Sequence, residues 1–65
     1  RDRLQVVLGV LVELERETGM VERAVLVDKL TRERDLTAED VERLLGQLER
    51  EGAIYRPREG YLKKT

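Results

Sequence analysis

Side chains able to carry nucleophilic or metal-assisted catalysis are scarce in this sequence. Its 65 residues include no Ser, Cys or His, and the remaining Thr, Lys and carboxylate groups do not stand beside a plausible base. The densest acidic group, Glu39, Asp40 and Glu42, falls where a helix begins, and acids there complement the helix dipole. We therefore expect no catalytic residue, no metal site and no cofactor in this chain.

The charge is high in amount and uneven in distribution. Charged residues make up 42% of the chain, yet the net charge is only −1, which argues against a protein that coats nucleic acid generally. Residues 37–51 hold five acids against two arginines, whereas residues 55–65 hold Arg56, Arg58, Lys63 and Lys64 against Glu59 alone. The functional surfaces are therefore expected in an acidic helix and in the basic segment that follows it.

The first helix is predicted from apolar residues spaced three and four apart, which are Leu4, Val7, Leu8, Leu11 and Leu14. Val6, Val10 and Val12 widen this apolar arc beyond one stripe. Val6 to Leu8 alone could form a strand, but the length of the pattern favours a helix that Gly19 ends. Such a helix either lies centrally in the fold or docks partly on a neighbouring domain.

Two further helices are predicted around a short turn at residues 34–36. Met20 and Val21 form an extended link, and a second helix to about Arg34 follows, with one side formed by Ala24, Leu26, Val27 and Leu30. Asp28 and Arg32 form a solvated pair. Thr37 caps a third helix, and with Asp40 three residues later it resembles a capping box. Leu36 and Val41 occupy the two positions of a hydrophobic staple. The buried stripe of this helix is Val41, Leu44, Leu45 and Leu48. Two helices joined so closely form a helix-turn-helix.

A β-hairpin is predicted after Gly52, which ends the third helix. Residues 53–55 and 61–63 are the strands, and Pro57 to Gly60 form the turn. Alternation places Ile54 and Leu62 toward the helices and leaves Tyr55, Arg56, Tyr61 and Lys63 nearer solvent. The order predicts one domain over residues 1–65, mainly α with a small β-hairpin: a winged helix of three helices and a C-terminal wing.

Two surfaces are candidates for binding. In a helix-turn-helix the start of the second helix enters the major groove, where Glu39 and Asp40 would face phosphates, so sequence-specific reading is disfavoured. The wing is the better candidate for nucleic acid or a partner, through Tyr55, Arg56, Arg58, Tyr61, Lys63 and Lys64. These residues could equally be solubilising edge protection, with both tyrosines covering the hairpin. Protein contact is the expected role of the third helix, at Glu39, Asp40, Glu42 and Arg43.

Residues 48–63 resemble the end of the minichromosome maintenance (MCM) replicative helicases, especially the archaeal ones. In that family a Gly-x-Ile-Tyr-x-Pro-x-x-Gly-Tyr stretch forms the wing of a C-terminal winged helix. The residues that match are Gly52, Ile54, Tyr55, Pro57, Gly60 and Tyr61. Each is common in wings, but the set is specific. Upstream, the resemblance is one of helix pattern only.

The resemblance implies the C-terminal, regulatory appendage of a hexameric, ATP-driven DNA helicase. ATP and Mg²⁺ would bind in a motor preceding Arg1, and this fragment would contact that motor or a loading factor. It implies a cytoplasmic, nucleoid-associated archaeal protein, or a nuclear one in a eukaryote. From the residues themselves we expect no membrane contact, because no apolar run approaches the length of a membrane span, and weak non-specific DNA contact through the wing. The high charge favours a monomeric isolated domain. The alternatives are a DNA-binding domain of a transcription regulator and a protein-interaction module that uses the wide apolar arc of the first helix.

Overall fold

Three helices and three short strands make up the protein, and the structure, a computed structural model, describes residues 2–65. The helices are α1 (Arg3–Thr18), α2 (Arg23–Glu33) and α3 (Ala38–Arg50). The strands are β1 (Val21–Glu22), β2 (Ile54–Tyr55) and β3 (Tyr61–Lys64). They form one small antiparallel sheet in the order β1-β3-β2. The result is a compact, mostly helical domain, compatible with the predicted winged-helix architecture.

Helix α1 ends at Gly19, as predicted, and begins after a cap at Asp2 that was not predicted. Asp2 caps it by accepting a hydrogen bond from the backbone N–H of Leu4 at 3.0 Å. Gly19 ends it with φ of 86°, a left-handed conformation that favours glycine. Val7, Val10 and Leu11 are buried, and α1 packs against α2, α3, β1 and β3. Its wide apolar arc is therefore covered mainly within the domain, as the central placement predicted.

The link between α1 and α2 is a strand of the sheet, which the sequence analysis did not predict. Val21 pairs with Leu62 and Glu22 with Tyr61, and Val21 is buried. The backbone N–H of Arg23 extends this contact by donating to the carbonyl of Gly60 at 2.9 Å. The expected two-stranded wing is thus a three-stranded sheet, because the extended link Val21–Glu22 runs beside the returning strand β3.

The turn between α2 and α3 follows the predicted local rules. Asp35 takes a positive φ of 59°, a conformation that Asp tolerates better than most residues. Thr37 caps α3 through its hydroxyl, which accepts from the N–H of Asp40 at 3.0 Å. Leu36 and Val41 are both buried, as a hydrophobic staple requires. The entry angle of α3 is therefore set by its own first turn.

The hairpin is held to the end of α3 by paired backbone bonds. Gly52, with φ of 78°, donates to the carbonyl of Glu49, and Ala53 donates to that of Leu48, which is a Schellman motif. Ile54 then pairs with Lys64, and Tyr55 with Lys63. Ile54 and Leu62 are buried, which confirms the predicted alternation for the inward side.

The core is aliphatic and draws on every helix and strand. Its members are Val7, Val10, Leu11, Val21, Leu26, Leu30, Leu36, Val41, Leu44, Leu45, Leu48, Ile54 and Leu62. Three predicted positions differ from this pattern. Ala24, expected on the buried side of α2, is exposed. Tyr61 and Lys63, expected nearer solvent, are half-buried. Tyr61 pairs with Glu22 of β1, and the amine of Lys63 lies against Gly19 and Glu15. Within residues 2–65 no helix combines the length and apolarity needed to cross a bilayer.

Replacing Leu11 with Ala is expected to destabilise the domain severely. Leu11 is fully buried on the central helix, and such truncations cost about 2–5 kcal/mol. A domain of this size has roughly 3–5 kcal/mol in total, so much of the variant should be unfolded without denaturant. Val25→Ala, at a side chain 47% exposed, should stay within about 0.5 kcal/mol of the parent chain. Urea unfolding followed by circular dichroism measures both, and a parent-like midpoint for Leu11→Ala would contradict the central role of α1.

Candidate functional site

The basic tip of the hairpin is anchored to the rest of the domain on both sides. β3 is its central strand, and the loop of residues 56–60 closes with Tyr61 donating its N–H to the carbonyl of Arg58 at 3.1 Å. Gly60 makes this closure with φ of 83°. Its carbonyl then accepts from Arg23 at the start of α2. The tip therefore has a defined position beside α2 rather than projecting alone.

Both predicted wing arginines, Arg56 and Arg58, have intramolecular partners. The Nε of Arg56 lies 3.0 Å from a carboxylate oxygen of Glu49, in the last turns of α3. The guanidinium of Arg58 lies over the ring of Tyr61, 5.6 Å from its centroid. Both arginines remain exposed, so these contacts are weak and exchangeable. Tyr55 is 43% exposed on the outer edge strand. The tip thus presents two arginines and one tyrosine to solvent.

Lys63 and Lys64 lie away from the tip and hold the sheet against α1. The Nζ of Lys63 donates to the carbonyl of Gly19 at 2.9 Å and lies 3.3 Å from a carboxylate oxygen of Glu15. The other oxygen of Glu15 accepts the backbone N–H of Lys64 at 2.8 Å. The pKa of Glu15 is lowered, chiefly by this bond from the backbone of Lys64. Desolvation raises the pKa by less than that bond lowers it, and the ammonium of Lys63 lowers it further. Lys63 therefore has a structural partner within the fold.

The acidic first turn of α3 is also partly neutralised from within. The carboxylate of Asp40 lies 2.8 Å from Nη2 of Arg43 and 3.6 Å from Nη1 of Arg3. Asp40 thus pairs with arginines, while its backbone N–H serves the Thr37 cap. Glu39, one position earlier, is exposed. Of the acids in this turn, Glu39 is therefore the exposed one, while Asp40 is half-buried and paired.

Glu42 forms the best-defined ion pair of the domain with Arg23. Two parallel hydrogen bonds join them, from Nη1 at 2.7 Å and from Nη2 at 2.6 Å. The pKa of Glu42 is lowered chiefly by these bonds, and the pKa of Arg23 is raised for the same reason. The pair ties the start of α2 to α3 beside the hairpin tip, since Arg23 also contacts Gly60 through its backbone.

Three residues of this arrangement were missed by the sequence analysis: Glu15, Arg23 and Glu49. Each pairs with a residue at least seven positions away, and Glu15 with one 49 positions away. Periodicity within one helix carries no signal for such partners. Of the predicted residues, the structure brings Arg56, Arg58 and the two tyrosines to the hairpin and its tip, and Glu39, Asp40, Glu42 and Arg43 to the first half of α3.

These surfaces expose mainly charged side chains and Tyr55. Within residues 2–65 no group of three or more His, Cys, Asp or Glu side chains is placed to hold a metal ion. Comparison with known proteins adds no assignment: no family model matches the chain, and no curated protein matches it. The features that bear on function are therefore the residues of the hairpin, the charges of α3 and the shape of the surface between them.

Replacing Glu15 with Gln should weaken the domain at neutral pH and less so in acid. The folded-state pKa of Glu15 lies below its ordinary value of 4.5, so the charged form stabilises the fold above that value. This stability is lost as the pH falls through the lowered pKa, where the parent chain and Glu15→Gln converge. Urea midpoints at pH 7, 5, 4 and 3 give the comparison. A gap that is constant with pH would contradict an ionic role for Glu15.

Proposed function

We propose that this chain is the regulatory C-terminal winged-helix domain of an MCM-type, hexameric, ATP-dependent replicative DNA helicase. The observation that carries the proposal is the set of six hairpin residues in the order Gly-x-Ile-Tyr-x-Pro-x-x-Gly-Tyr, which are Gly52, Ile54, Tyr55, Pro57, Gly60 and Tyr61. The domain itself would act in DNA replication by contact, while ATP and Mg²⁺ would bind in the motor.

The six residues support this proposal because each has a distinct part in the hairpin. Gly52 adopts positive φ where the hairpin begins, and Gly60 does so where its loop closes. Ile54 fills the core, and Tyr55 is exposed on the edge strand β2. Pro57 lies in the loop, where its missing N–H costs no ladder bond. Tyr61 lies beneath Arg58. A chain matching only one or two of these positions would share generic turn chemistry, whereas the whole set matches a particular wing.

The distribution of charge favours regulation through protein contact over reading of a DNA sequence. Glu39, Asp40 and Glu42 lie in the first half of α3, the part of a helix-turn-helix that approaches phosphates. Bringing these carboxylates to a duplex adds like-charge repulsion. The arginines of the tip allow a weak contact with the DNA backbone. The domain would therefore bind its motor, or a loading factor, and alter the motor's activity through that contact.

Removing residues 1–65 from the parent helicase should change its ATPase and unwinding rates several-fold. Regulation by contact requires that the domain favour one state of the motor, and a several-fold change corresponds to about 1 kcal/mol of differential binding. Rates of the full-length and truncated hexamers on a forked substrate provide the measurement. The isolated domain added back in excess should partly restore the original rates.

The sequence upstream of Arg1 is a second check on the same proposal. A phosphate-binding loop and an arginine finger within a few hundred residues are required of a helicase motor. An independent small reading frame that begins near Arg1, or a truncated helicase with unchanged rates, would overturn the assignment.

DNA binding by the isolated domain should be weak, independent of sequence and dependent on the wing. Non-specific contacts of this kind have dissociation constants of about 10⁻⁴–10⁻⁶ M at physiological salt. Changing Arg56 and Arg58 to Ala should reduce the slope of log affinity against log salt by about 1 to 2. Arg32→Ala, at an exposed arginine on α2 that pairs with Asp28, is the matched control and should leave the slope unchanged.

Anisotropy titrations of duplex and single-stranded DNA at several salt concentrations would measure this. Sub-micromolar, sequence-dependent binding at physiological salt would instead favour the DNA-binding domain of a transcription regulator.

A further inference from the structure

A groove on the described surface lies between α2 and the start of α3. Its open volume is about 670 Å³, and the turn of the hairpin closes one end. Its lining includes Ala24, Val27, Thr31, Ala38, Glu42 and Gly60. We call it the α2–α3 groove. Its volume is within the range of pockets that bind ligands in proteins.

Small and apolar side chains form the floor of the α2–α3 groove. Ala24 and Ala38 are exposed, and Val27 is half-buried between them and the core. Ala24 was expected to lie on the buried side of α2, and its actual place at the groove leaves an apolar surface without an intramolecular partner. Because alanines and Gly60 project little, the aliphatic part of another chain can approach closely.

Negative charge surrounds this floor. The lining includes the carboxylates of Glu22, Asp28 and Glu42, with Arg23 as the one cation among the lining residues that the structure describes. Arg23 is held by both oxygens of Glu42, so its charge is already matched. Glu22 precedes α2, is exposed and makes no side-chain capping bond. Asp28 lies 2.8 Å from Arg32 in a pair that is exposed on both sides, and such pairs are weak and exchangeable. The groove is therefore apolar at its centre, and its rim offers Glu22, which forms no salt bridge within residues 2–65, and Asp28, whose pair a cationic partner can replace.

We propose that the α2–α3 groove binds a basic amphipathic segment of the helicase motor, in which aliphatic side chains fill the groove and Lys or Arg side chains meet its rim. This inference rests on the proposed function, and it specifies the surface and the chemistry of the regulatory contact. Aliphatic side chains would replace water over Ala24 and Val27. The flanking cations would pair with Glu22 and Asp28, whereas a DNA backbone would be repelled by the same carboxylates.

Charge reversal at the rim tests the proposal in the full-length helicase. The double variant Glu22→Lys with Asp28→Lys should reproduce at least half of the rate change caused by deleting the domain. Glu17→Lys is the matched control, because Glu17 is an exposed acid on α1 outside the lining of the groove. It should keep the regulation of the parent helicase. Circular dichroism of the isolated domains checks that each variant is folded.

Crosslinking gives a readout that does not depend on those substitutions. A small diazirine side chain in place of Ala24 should crosslink to a motor segment rich in Lys or Arg and aliphatic residues. The same group in place of Val25, which is also exposed but lines a different pocket, should give at least fivefold less of that product. Mass spectrometry of the digested products identifies the segment.

The outcomes separate this inference from the proposed function. If deletion alters the motor but the Glu22/Asp28 double variant does not, the groove is not the contact and the regulatory role stands. A crosslink at position 24 to DNA, to an acidic segment, or at no higher yield than at position 25 would likewise overturn the groove. If deletion has no effect on the motor, both proposals fail together.

Discussion

Burial of one side of α1 is the contact on which the rest of the molecule depends. Val7, Val10 and Leu11 are the surface on which α2, α3 and the central strand β3 converge. A chain of this size has no disulfide and no large aromatic core residue to replace that contact, since it lacks Cys, Phe and Trp. Helices α2 and α3 and the hairpin therefore keep their relative positions only while α1 stays packed against them.

The charges of the domain act largely on its own architecture. Glu15 holds β3 against α1, and Glu42 holds α3 to the start of α2 through Arg23. Because each of these acids is committed to a specific partner, much of the charge that makes up 42% of the chain is not available for binding. What remains for partners is a smaller set: the arginines at the tip, Tyr55, Glu39, and Glu22 and Asp28 at the α2–α3 groove. Asp28 and Arg56 form exposed ion pairs, which a partner can replace.

These remaining groups divide the surface into two regions of opposite character. The tip carries Arg56 and Arg58. The first half of α3 carries Glu39, and the groove carries Glu22 and Asp28. A duplex entering the helix-turn-helix in the usual way would meet both at once. A protein segment can match such a surface residue by residue, whereas the uniform charge of a DNA backbone cannot. This contrast is the physical basis for proposing a regulatory protein contact.

The amino-acid sequence alone determined the helices, their ends and the hairpin, because these depend on neighbours within one or two turns. Gly19 and Gly52 act through their backbone conformation, and Thr37 acts through a hydrogen bond to a residue three positions later. The spacing of the aliphatic residues in each helix defines its buried side. Only the tertiary structure decided that Val21 and Glu22 form a third strand, that Lys63 is held by Glu15 and that Ala24 lines a groove. Those features depend on which surfaces meet across long stretches of chain, and the periodicity of single elements does not encode that.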